Sequence, residues 1–223
     1  MIADSHAGQP ARDCPLCPRL VAMRTALRVR EATWHNAPVP SFGALGSRLL
    51  VVGLAPGVTG ANRTGRPFTG DHAGELLYAS LLEQGFARGT YRASPDDGLT
   101  LIDCRITNAV RCVPPENKPT PAEISVCRPF LAQEIAAMPR VEAVLCLGRV
   151  SHEQVMRVFG VRLTDRPFAH GAVHELPDGP AIFDSYHCSR YNTSTRRLTP
   201  EMFRAVVSAI RQRLDTSNDQ DRP

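Results

Sequence analysis

The sequence contains almost no lysine and no long apolar run. Among its 26 basic residues, Lys118 is the single lysine and the other 25 are arginines. No stretch approaches the ~18 consecutive apolar residues that a membrane-spanning helix needs. The first residues (MIADSHAGQPARDC) have none of the apolar core that a secretory signal requires. These absences exclude a membrane-spanning class, and we expect a soluble protein of the cytoplasm.

A P-loop is also absent, although the chain has a glycine-rich stretch. Residues 53–71 (GLAPGVTGANRTGRPFTGD) contain five glycines, which let a backbone approach a ligand closely. A phosphate-binding P-loop ends in Gly-Lys-Ser/Thr, and this stretch has no lysine, so we exclude a nucleoside triphosphatase. The stretch ends with Phe68, which could stack on a planar ring, and with Asp71, which could cap the next helix, act in catalysis, or do both.

The composition indicates one folded domain. The chain has 223 residues, of which 43% are hydrophobic and 22% charged, enough to bury a single core. We expect the domain to span 13–214, between disordered tails at 1–12 and 215–223. The net charge of +4 depends on arginine, which suits bidentate phosphate contacts. Arginine codons in a GC-rich genome would give the same excess, so composition leaves both explanations open.

Short apolar runs alternate with amphipathic stretches along the chain. The expected strands are 49–53, 101–108, 141–148 and 181–186, and the expected helices are about 18–31, 72–85, 121–137, 149–159 and 199–213. Thr120 and Thr199, each followed by proline and an acidic first turn, are typical of helix starts. This alternation predicts an α/β fold with a parallel sheet covered on both faces, which binds ligands at the carboxyl ends of its strands.

Four of the seven cysteines form a pattern that suits a metal centre. Cys14 and Cys17 form a C-x2-C pair, Cys112 and Cys127 lie far downstream, and each is close to a proline. Disulfides are rare in the cytoplasm, so four thiolates from three segments favour a zinc ion or an iron–sulfur cluster, between which the spacing does not decide. The remaining cysteines, in or beside apolar runs, are expected to be small buried residues: Cys104, Cys146 and Cys188.

Two polar residues come at the ends of expected strands. Asn108 offers a donor and an acceptor to the edge of an amide-bearing ring, although asparagine is also a common turn former. His187 could donate to a developing negative charge, although a lone histidine is more often structural. The other six histidines have no comparable context, and we interpret them as structural or solvated: His6, His35, His72, His152, His170 and His174.

Three separated motifs carry a resemblance to a known family. They are GLAPG with GRPFTGD, then ITNAVRC…PTPAE…C, then SYHCSRYNTSTRRLT, and the resemblance covers roughly residues 14–213. Together with the four cysteines, they resemble the uracil-DNA glycosylase superfamily, most closely its iron–sulfur family 5 (UdgB-type), with family 4 next. Family 4 would have an acidic residue and a proline where this chain has Leu54 and Cys188.

The resemblance implies a three-layer α/β/α domain with a central four-stranded parallel sheet. It implies a structural [4Fe-4S] cluster held by Cys14, Cys17, Cys112 and Cys127, with zinc as the alternative. The implied activity is that of a base-excision-repair glycosylase, which hydrolyses the N-glycosidic bond of uracil, hypoxanthine or other deaminated bases in duplex DNA. We expect a monomer associated with the nucleoid, with no obligatory protein partner.

The resemblance also implies roles for the pocket residues. Asp71 would orient the attacking water, which Leu54 cannot do, and His187 would donate to the oxygen of the leaving base. Phe68 would stack on the base, and Asn108 would read its edge. The full set expected to line the substrate pocket is Gly53, Ala55, Gly57, Phe68, Asn108 and His187.

A further set of residues is expected to contact DNA. It consists of Arg63, Arg66, Lys118, Arg190, Tyr191 and Asn192. The first three would hold phosphates, and Arg190 or Tyr191 would fill the stack that the flipped base vacates. Lys118 lies in a proline-rich turn (PPENKPTP), a poor position for the amine nucleophile of a bifunctional glycosylase. We therefore predict a monofunctional enzyme that leaves an intact abasic site.

Two other functions compete with this interpretation. The first is a catalytically inactive, metal-stapled protein that binds damaged DNA, which the apolar Leu54 in the first motif would suit. The presence of Phe68, Asp71, Asn108 and His187 together argues against it, because a binding protein needs no such set. The second is an electron-transfer protein, but its cysteines would be expected in packed C-x2-C-x2-C runs.

Overall fold

Four parallel strands form the centre of the sheet in the computed structural model, which describes residues 8–220, with side chains through 217. In chain order the strands are β1 (Leu49–Gly53), β2 (Ala87–Arg88), β3 (Thr100–Leu101), β4 (Cys104–Asn108), β5 (Ala143–Leu147), β6 (Val173–His174) and β7 (Ala181–Ser185). The main sheet has the order β4-β1-β5-β7-β6, in which only β6 is antiparallel to its neighbour. The expected parallel sheet is confirmed, and β6 adds an edge strand that the sequence analysis did not predict.

Seven α-helices and one short 3-10 helix connect the strands within the described residues. They are α1 (Pro18–Arg30), α2 (Ala61–Thr64), α3 (His72–Glu83), the 3-10 helix Pro115–Asn117, α4 (Pro121–Ala136), α5 (Arg149–Val158), α6 (Arg190–Ser194) and α7 (Pro200–Gln220). Thr120 starts α4 as predicted, with a complete capping box in which its hydroxyl accepts from Glu123 N and the Glu123 carboxylate accepts from Thr120 N. None of these helices is long and apolar enough to cross a membrane.

The two faces of the sheet are covered by different helices. Successive residues of each strand point to opposite faces, so Leu49 and Val51 pack with α3 and α7, while Leu50 and Val52 pack with α4 and α5. All five residues of every central strand are buried. This three-layer α/β/α arrangement is the expected fold class, and its apolar strands form the core.

The second expected strand is interrupted at Asp103. β3 pairs with β2 in a separate two-stranded ribbon, and β4 begins only at Cys104. Asp103 has a left-handed backbone (φ 52°), and its carboxylate accepts from Arg48 N at 2.8 Å and from Arg48 Nε at 2.6 Å. Residues 101–108 therefore bend at Asp103 instead of forming one strand.

Both chain ends differ from the tails expected at 1–12 and 215–223. Helix α7 continues to Gln220, so the prediction of disorder is wrong for 215–220, and 221–223 lie outside the described residues. Gly8 is buried against the backbone of α4, residues 9 and 10 are half-buried, and Arg12 is exposed although its O accepts from Arg28, so only the first part of 8–12 is packed. Residues 1–7 lie outside the described residues.

The parallel strands end at one edge of the sheet, and this edge positions the site. From β1 the chain crosses to β4 on one side and then returns to β5 on the other. Such a reversal of strand order leaves a crevice at the carboxyl ends of the strands, where α/β proteins bind ligands. Gly53, Asn108 and Ser185 are the last residues of β1, β4 and β7 at this edge.

Candidate active site

Loops at the carboxyl edge of the sheet close around a small pocket, which we call the base pocket. Its walls are Ala55, Pro56, Ala61, Phe68, Asp71, Ala73, Asn108 and His187. The segment between β1 and α3 supplies Phe68 and Asp71, the end of β4 supplies Asn108, and the segment after β7 supplies His187. The structure therefore brings together four candidate residues from three distant parts of the chain.

Gly53 makes room for the base pocket without lining it. It ends β1 directly opposite Asn108 of β4. A Cβ at position 53 would overlap Asn108 Oδ1 and would lie 2.5 Å from Phe68 Cζ. Since even a methyl group would displace both side chains, the pocket requires glycine at this position.

Phe68 is held in a conformation that phenylalanine rarely adopts. Its backbone is left-handed (φ 53°), a strained state for a bulky residue. The Tyr91 hydroxyl donates to Phe68 O at 3.1 Å, and Gly74 packs so closely that a Cβ there would overlap the same oxygen. The Phe68 ring lies 5.9 Å from the His187 ring between centroids, with 30° between their planes. The ring is therefore a fixed wall of the pocket.

Asp71 both caps a helix and lines the pocket. Its Oδ1 accepts from Gly74 N at 3.1 Å at the start of α3, so the predicted capping role is confirmed. Its Oδ2 faces the loop, where a Cβ at Gly60 would lie 2.6 Å away and one at Gly57 would lie 3.7 Å away. Burial raises the pKa of the carboxyl group, although two helix amides oppose the shift. One oxygen is thus anchored, while the other faces a space that side chains leave open.

His187 is a neutral imidazole at physiological pH. Burial lowers its pKa to about 4. Its backbone is held by Asn192, whose Nδ2 donates to His187 O at 2.8 Å, and the neighbouring Cys188 is fully buried. The imidazole can therefore act as a hydrogen-bond donor without carrying a charge, from a position that the surrounding segment fixes.

The geometry of the base pocket suits chemistry on a planar heterocycle, and comparison with known proteins agrees. A profile described as the uracil DNA glycosylase superfamily matches residues 40–211. The chain belongs to this superfamily. It is 45% identical over 199 residues to the type-5 uracil-DNA glycosylase of Thermus thermophilus, covering 87% of this chain and 90% of that relative. It is 41% identical over 197 residues to the type-5 enzyme of Mycobacterium tuberculosis, covering 85% and 74%.

Similarity to type-4 members of the superfamily is weaker. The chain is 32% identical over 158 residues to the type-4 uracil-DNA glycosylase of Archaeoglobus fulgidus, covering 69% of this chain and 71% of that relative. This ordering agrees with Leu54 and Cys188, the two positions at which the chain departs from the family 4 pattern. The expected placement nearest family 5, with family 4 next, is confirmed.

A wider groove leads from the base pocket to the surface of this superfamily member. Besides pocket residues, it is lined by Leu54, Gly57, His72, Asn117, Ser189 and Arg190. Asn117 belongs to the segment between Cys112 and Cys127, which brings the neighbouring, exposed Lys118 to the same side. His72 Nε2 lies 3.0 Å from Thr193 Oγ1, linking α3 to α6 across the groove. His72 was interpreted as structural or solvated, and Asn117 was not singled out.

The prediction that Arg66 holds a phosphate is wrong. Its side chain is buried, and its guanidinium donates to both carboxylate oxygens of Asp97 at 2.8 Å and to Thr69 Oγ1 at 2.7 Å. It also lies over the Phe42 ring, 5.3 Å from the centroid. Arg66 therefore supports the glycine-rich segment from inside, whereas Arg63 is exposed and keeps its predicted role as a DNA contact.

Of the residues after His187, some are exposed and others hold His187 in place. Arg190 is exposed and lines the groove, and Tyr191 is 71% exposed, so either can reach a DNA duplex. Asn192 is predicted to contact DNA, but its amide donates to His187 O instead. Its observed role is to position the histidine, and the sequence pattern alone did not separate it from its exposed neighbours.

Four cysteines meet at a second site, which we call the cysteine site. Cys14, Cys17, Cys112 and Cys127 line one recess together with apolar residues that include Leu20 and Phe130. In the part of the chain that the structure describes, no three cysteine sulfur atoms lie within 4.8 Å of one another. The other three cysteines are buried among apolar side chains, as predicted: Cys104, Cys146 and Cys188.

A buried arginine faces the cysteine site and has no carboxylate within ion-pairing distance among the described residues. Arg24 is 3% exposed, and its guanidinium donates to Cys112 Sγ at 3.6 Å and to Cys14 O at 3.0 Å, while its Nε has no partner. Arg111 N donates to Cys127 Sγ at 3.4 Å. Asp13 is close enough for Arg24 to lower the pKa of its carboxyl group, but Asp13 is exposed, so the buried Arg24 fits a recess that holds further negative charge.

A buried polar cluster that no sequence motif indicates lies on the strand before His187. His152 Nδ1 lies 2.9 Å from Asp184 Oδ1, and His174 Nε2 lies 3.1 Å from Asp184 Oδ2. Asp184 is on β7, three residues before His187, so the cluster anchors the strand that carries the histidine. Only the pairing of β6 with β7 brings His174 to this strand, and the two-residue β6 has no periodic signal in the sequence.

Proposed function

We propose that the chain removes uracil from DNA by hydrolysing its N-glycosidic bond, with the base pocket as the active site. The observation that carries this proposal is the meeting of Phe68, Asp71, Asn108 and His187 in one pocket of a uracil-DNA glycosylase fold. The type-5 relatives are named for the same activity. A base within a duplex is inaccessible, so the nucleotide must first rotate out of the stack at a cost of a few kcal/mol.

Recognition of the flipped base falls to two fixed side chains. The Phe68 ring stacks on the base, since its position is set by the backbone of Phe68 and by Tyr91. Asn108 presents its amide to the polar edge of the base, and its side chain is 4% exposed. Because Gly53 has no side chain, Phe68 and Asn108 can both keep these positions beside the space that the base occupies.

Bond cleavage leaves an oxocarbenium-like sugar and a base anion. The C1′–N bond breaks, and its electron pair goes to the base, where negative charge collects on a carbonyl oxygen. His187 donates a hydrogen bond to that oxygen, and as a neutral group it strengthens this bond while the charge develops. Because burial keeps the imidazole neutral, its single N–H proton stays on the ring and donates a hydrogen bond to the leaving base.

Asp71 completes the hydrolysis. Its Oδ2, which faces the open space beside Gly57 and Gly60, orients a water molecule toward C1′. The water oxygen bonds to C1′, its proton passes to the carboxylate or to solvent, and the negative charge of Asp71 offsets the positive sugar. The amide of Gly74 holds the other oxygen in place during the reaction.

We further propose that the cysteine site holds a [4Fe-4S] cluster. Four thiolates would bind it, and Arg24 would balance its negative charge. Zinc is the alternative occupant, because four thiolates can also hold a single zinc ion. The cluster would be structural, joining the segment before α1 to the segment that contains Asn117. Iron and zinc analysis of purified protein tests this choice.

The reaction is proposed to be monofunctional. Lys118 is the chain's one lysine; its side chain is 81% exposed, lies beside Glu116 at 3.9 Å and does not line the base pocket. We therefore expect no lysine amine to attack C1′ and form a Schiff base. We expect no covalent protein–DNA adduct after borohydride treatment, and such an adduct would contradict this assignment.

A single-turnover assay on labelled duplex tests the function directly. The substrate contains one uracil or one hypoxanthine, and the products are resolved with and without hot alkali. We expect strand breakage only after alkali, for uracil and for hypoxanthine, by a monomer acting without another protein. Breakage without alkali would indicate a bifunctional enzyme. Binding without breakage in either lane would favour a catalytically inactive protein that binds damaged DNA.

A further inference from the structure

A second cleft lies on the far side of His187 from the base pocket. Its lining includes Gly148, Arg149, Phe168, Tyr186, His187 and Arg197. None of these residues except His187 has a role in the proposed reaction. Because His187 belongs to the walls of both cavities, whatever occupies the cleft lies directly beside the flipped nucleotide.

Two exposed arginines in this cleft lie against aromatic rings. The Arg197 guanidinium carbon is 4.5 Å from the centroid of Tyr186, and that of Arg149 is 5.9 Å from the centroid of Phe168. Among the described residues, neither guanidinium has a carboxylate within ion-pairing distance. Both positive charges are therefore available to a ligand.

The rings that hold these arginines are themselves fixed. Tyr186 stacks on His170, with 5.0 Å between ring centroids and 16° between planes, and Tyr186 N donates to His170 Nδ1 at 3.2 Å. Phe168 packs edge-on against the buried His152 ring at 5.7 Å. A guanidinium that lies over a ring keeps its N–H donors directed outward in its own plane, where they suit a phosphate.

We infer that Arg149 and Arg197 form a phosphate clamp for the DNA strand that contains the damaged base, next to the flipped nucleotide. This inference rests on the proposed function and assigns a place for the strand's backbone. The neighbouring phosphate is covalently joined to the flipped nucleotide, so it must lie close to His187, as the cleft does. The sequence analysis assigned phosphate contacts to Arg63, Arg66 and Lys118 and did not identify either arginine.

Binding measurements on an abasic duplex at several salt concentrations test the clamp. We expect Arg149→Ala and Arg197→Ala each to weaken binding roughly 10-fold. Each should also lower the slope of log K against log salt by about 0.9, the value for one lost phosphate contact. Arg162→Ala is the matched control, because Arg162 is an exposed arginine paired with Asp165, and its loss removes the same charge.

Single methylphosphonate substitutions locate the phosphate. One neutral linkage at a time is placed on either side of the uracil and on the opposite strand. We expect one position on the damaged strand, adjacent to the uracil, to weaken the wild type but not the Arg149→Ala,Arg197→Ala double variant. Equal sensitivity of both proteins at every position would overturn the clamp, and so would a shared position on the opposite strand.

A variant that removes the Tyr186 ring distinguishes positioning of the Arg197 guanidinium by the ring from the effect of its charge alone. Tyr186→Leu keeps Arg197 but removes its ring, and we expect it to reproduce part of the Arg197→Ala loss at the same phosphate. If Tyr186→Leu binds the substituted duplexes like wild type, the ring does not position the arginine. Failure of the wild type to bind any DNA would instead contradict the proposed function.

Discussion

The base pocket and the cysteine site are both partly buried, but the base pocket has a polar lining that bonds within the protein hold in place, whereas the recess at the cysteine site is lined mostly by apolar side chains. Asp71 caps a helix, Phe68 is held by Tyr91, and His187 is held by Asn192. At the cysteine site, the buried Arg24 has a sulfur and a carbonyl as acceptors, and its Nε has none. The protein's own bonds account for the base pocket, whereas we propose that a cluster supplies the negative charge that balances Arg24 at the cysteine site.

A pair of buried arginines shows the same difference. Arg66 is neutralised by two bonds to Asp97, which lowers the pKa of that carboxyl well below its usual range. Arg24 is equally buried, and within the part of the chain that the structure describes it has no carboxylate partner. Buried charge is tolerated when it is paired, so Arg66 makes a complete structural contact, whereas Arg24 is consistent with the anionic cluster that we propose for the cysteine site. The predictions below test this contrast between a preformed pocket and a site that depends on a cofactor.

The largest expected effect is the loss of catalysis in Asp71→Asn. Asparagine caps helices as well as aspartate, so the start of α3 should be preserved while the carboxylate is lost. We expect the single-turnover rate to fall roughly 100- to 1,000-fold, with DNA affinity and iron content unchanged. Near-wild-type excision would show that Asp71 is only a cap. Asp178→Asn, a change of an exposed aspartate, is the control.

Gly53→Ala should nearly close the base pocket without affecting the cysteine site. The new Cβ would overlap Asn108 Oδ1 and would displace Phe68. We expect a loss of about 100-fold in the single-turnover rate on uracil, because a misplaced pocket wall can reduce catalysis by that factor. Gly46→Ala is the control, since a Cβ there would have no heavy atom within 4 Å. Equal rates for the two variants would show that the pocket can adjust.

Arg24→Met tests the other half of the contrast. Methionine fills similar volume without charge, so the cluster should be lost to an iron chelator roughly 10-fold faster. The rate constant of excision by molecules that retain iron should be unchanged. Arg30→Met on the same helix is the control, because Arg30 is 66% exposed and only pairs with Glu31. Identical iron retention in both variants would mean that Arg24 does not balance the cluster's charge.

The smallest expected effect is on the pH profile near neutrality. With a pKa of about 4, His187 stays neutral from pH 8 down to about pH 5.5, so the single-turnover rate should show no inflection near 6.5, where an unperturbed histidine titrates. At lower pH the rate should fall, since protonation removes the Asp71 carboxylate, whose pKa burial raises above 3.8. That acid limb should be absent from the residual activity of Asp71→Asn. An inflection near 6.5 that His187→Gln removes would contradict this account.

Local sequence patterns predicted the fold because its core elements are marked locally. The strands β1 (LLVVG) and β5 (AVLCL) are unbroken apolar runs, and the helix starting at Pro121 is marked by the capping sequence of Thr120. The break at Asp103 was missed because it depends on Arg48, which is distant in sequence. The extension of α7 past 214 was missed because its last turns are polar, like a disordered tail.

The residues of the candidate site were predictable where a sequence motif contains them. They were not predictable where a residue's role depends on contacts with residues distant in sequence. Asp71, Asn108 and His187 follow strands or precede a helix, so the parallel sheet brings them to one edge. Arg66 and Arg63 are both arginines in the same glycine-rich segment, and only the distant Asp97 buries the first. No local pattern reveals that partner, nor the rings beneath Arg149 and Arg197.

The segment between Cys112 and Cys127 has a consequence for the physiology of repair. It is anchored at both ends by the cysteine site, and its Asn117 forms part of the groove wall. If the cysteine site holds the proposed cluster, a cell short of iron would make a chain whose base pocket is formed but whose groove wall has lost this anchor. Uracil removal would then fail at the capture of DNA before it failed at bond cleavage, so iron supply would set how much damage the enzyme can find.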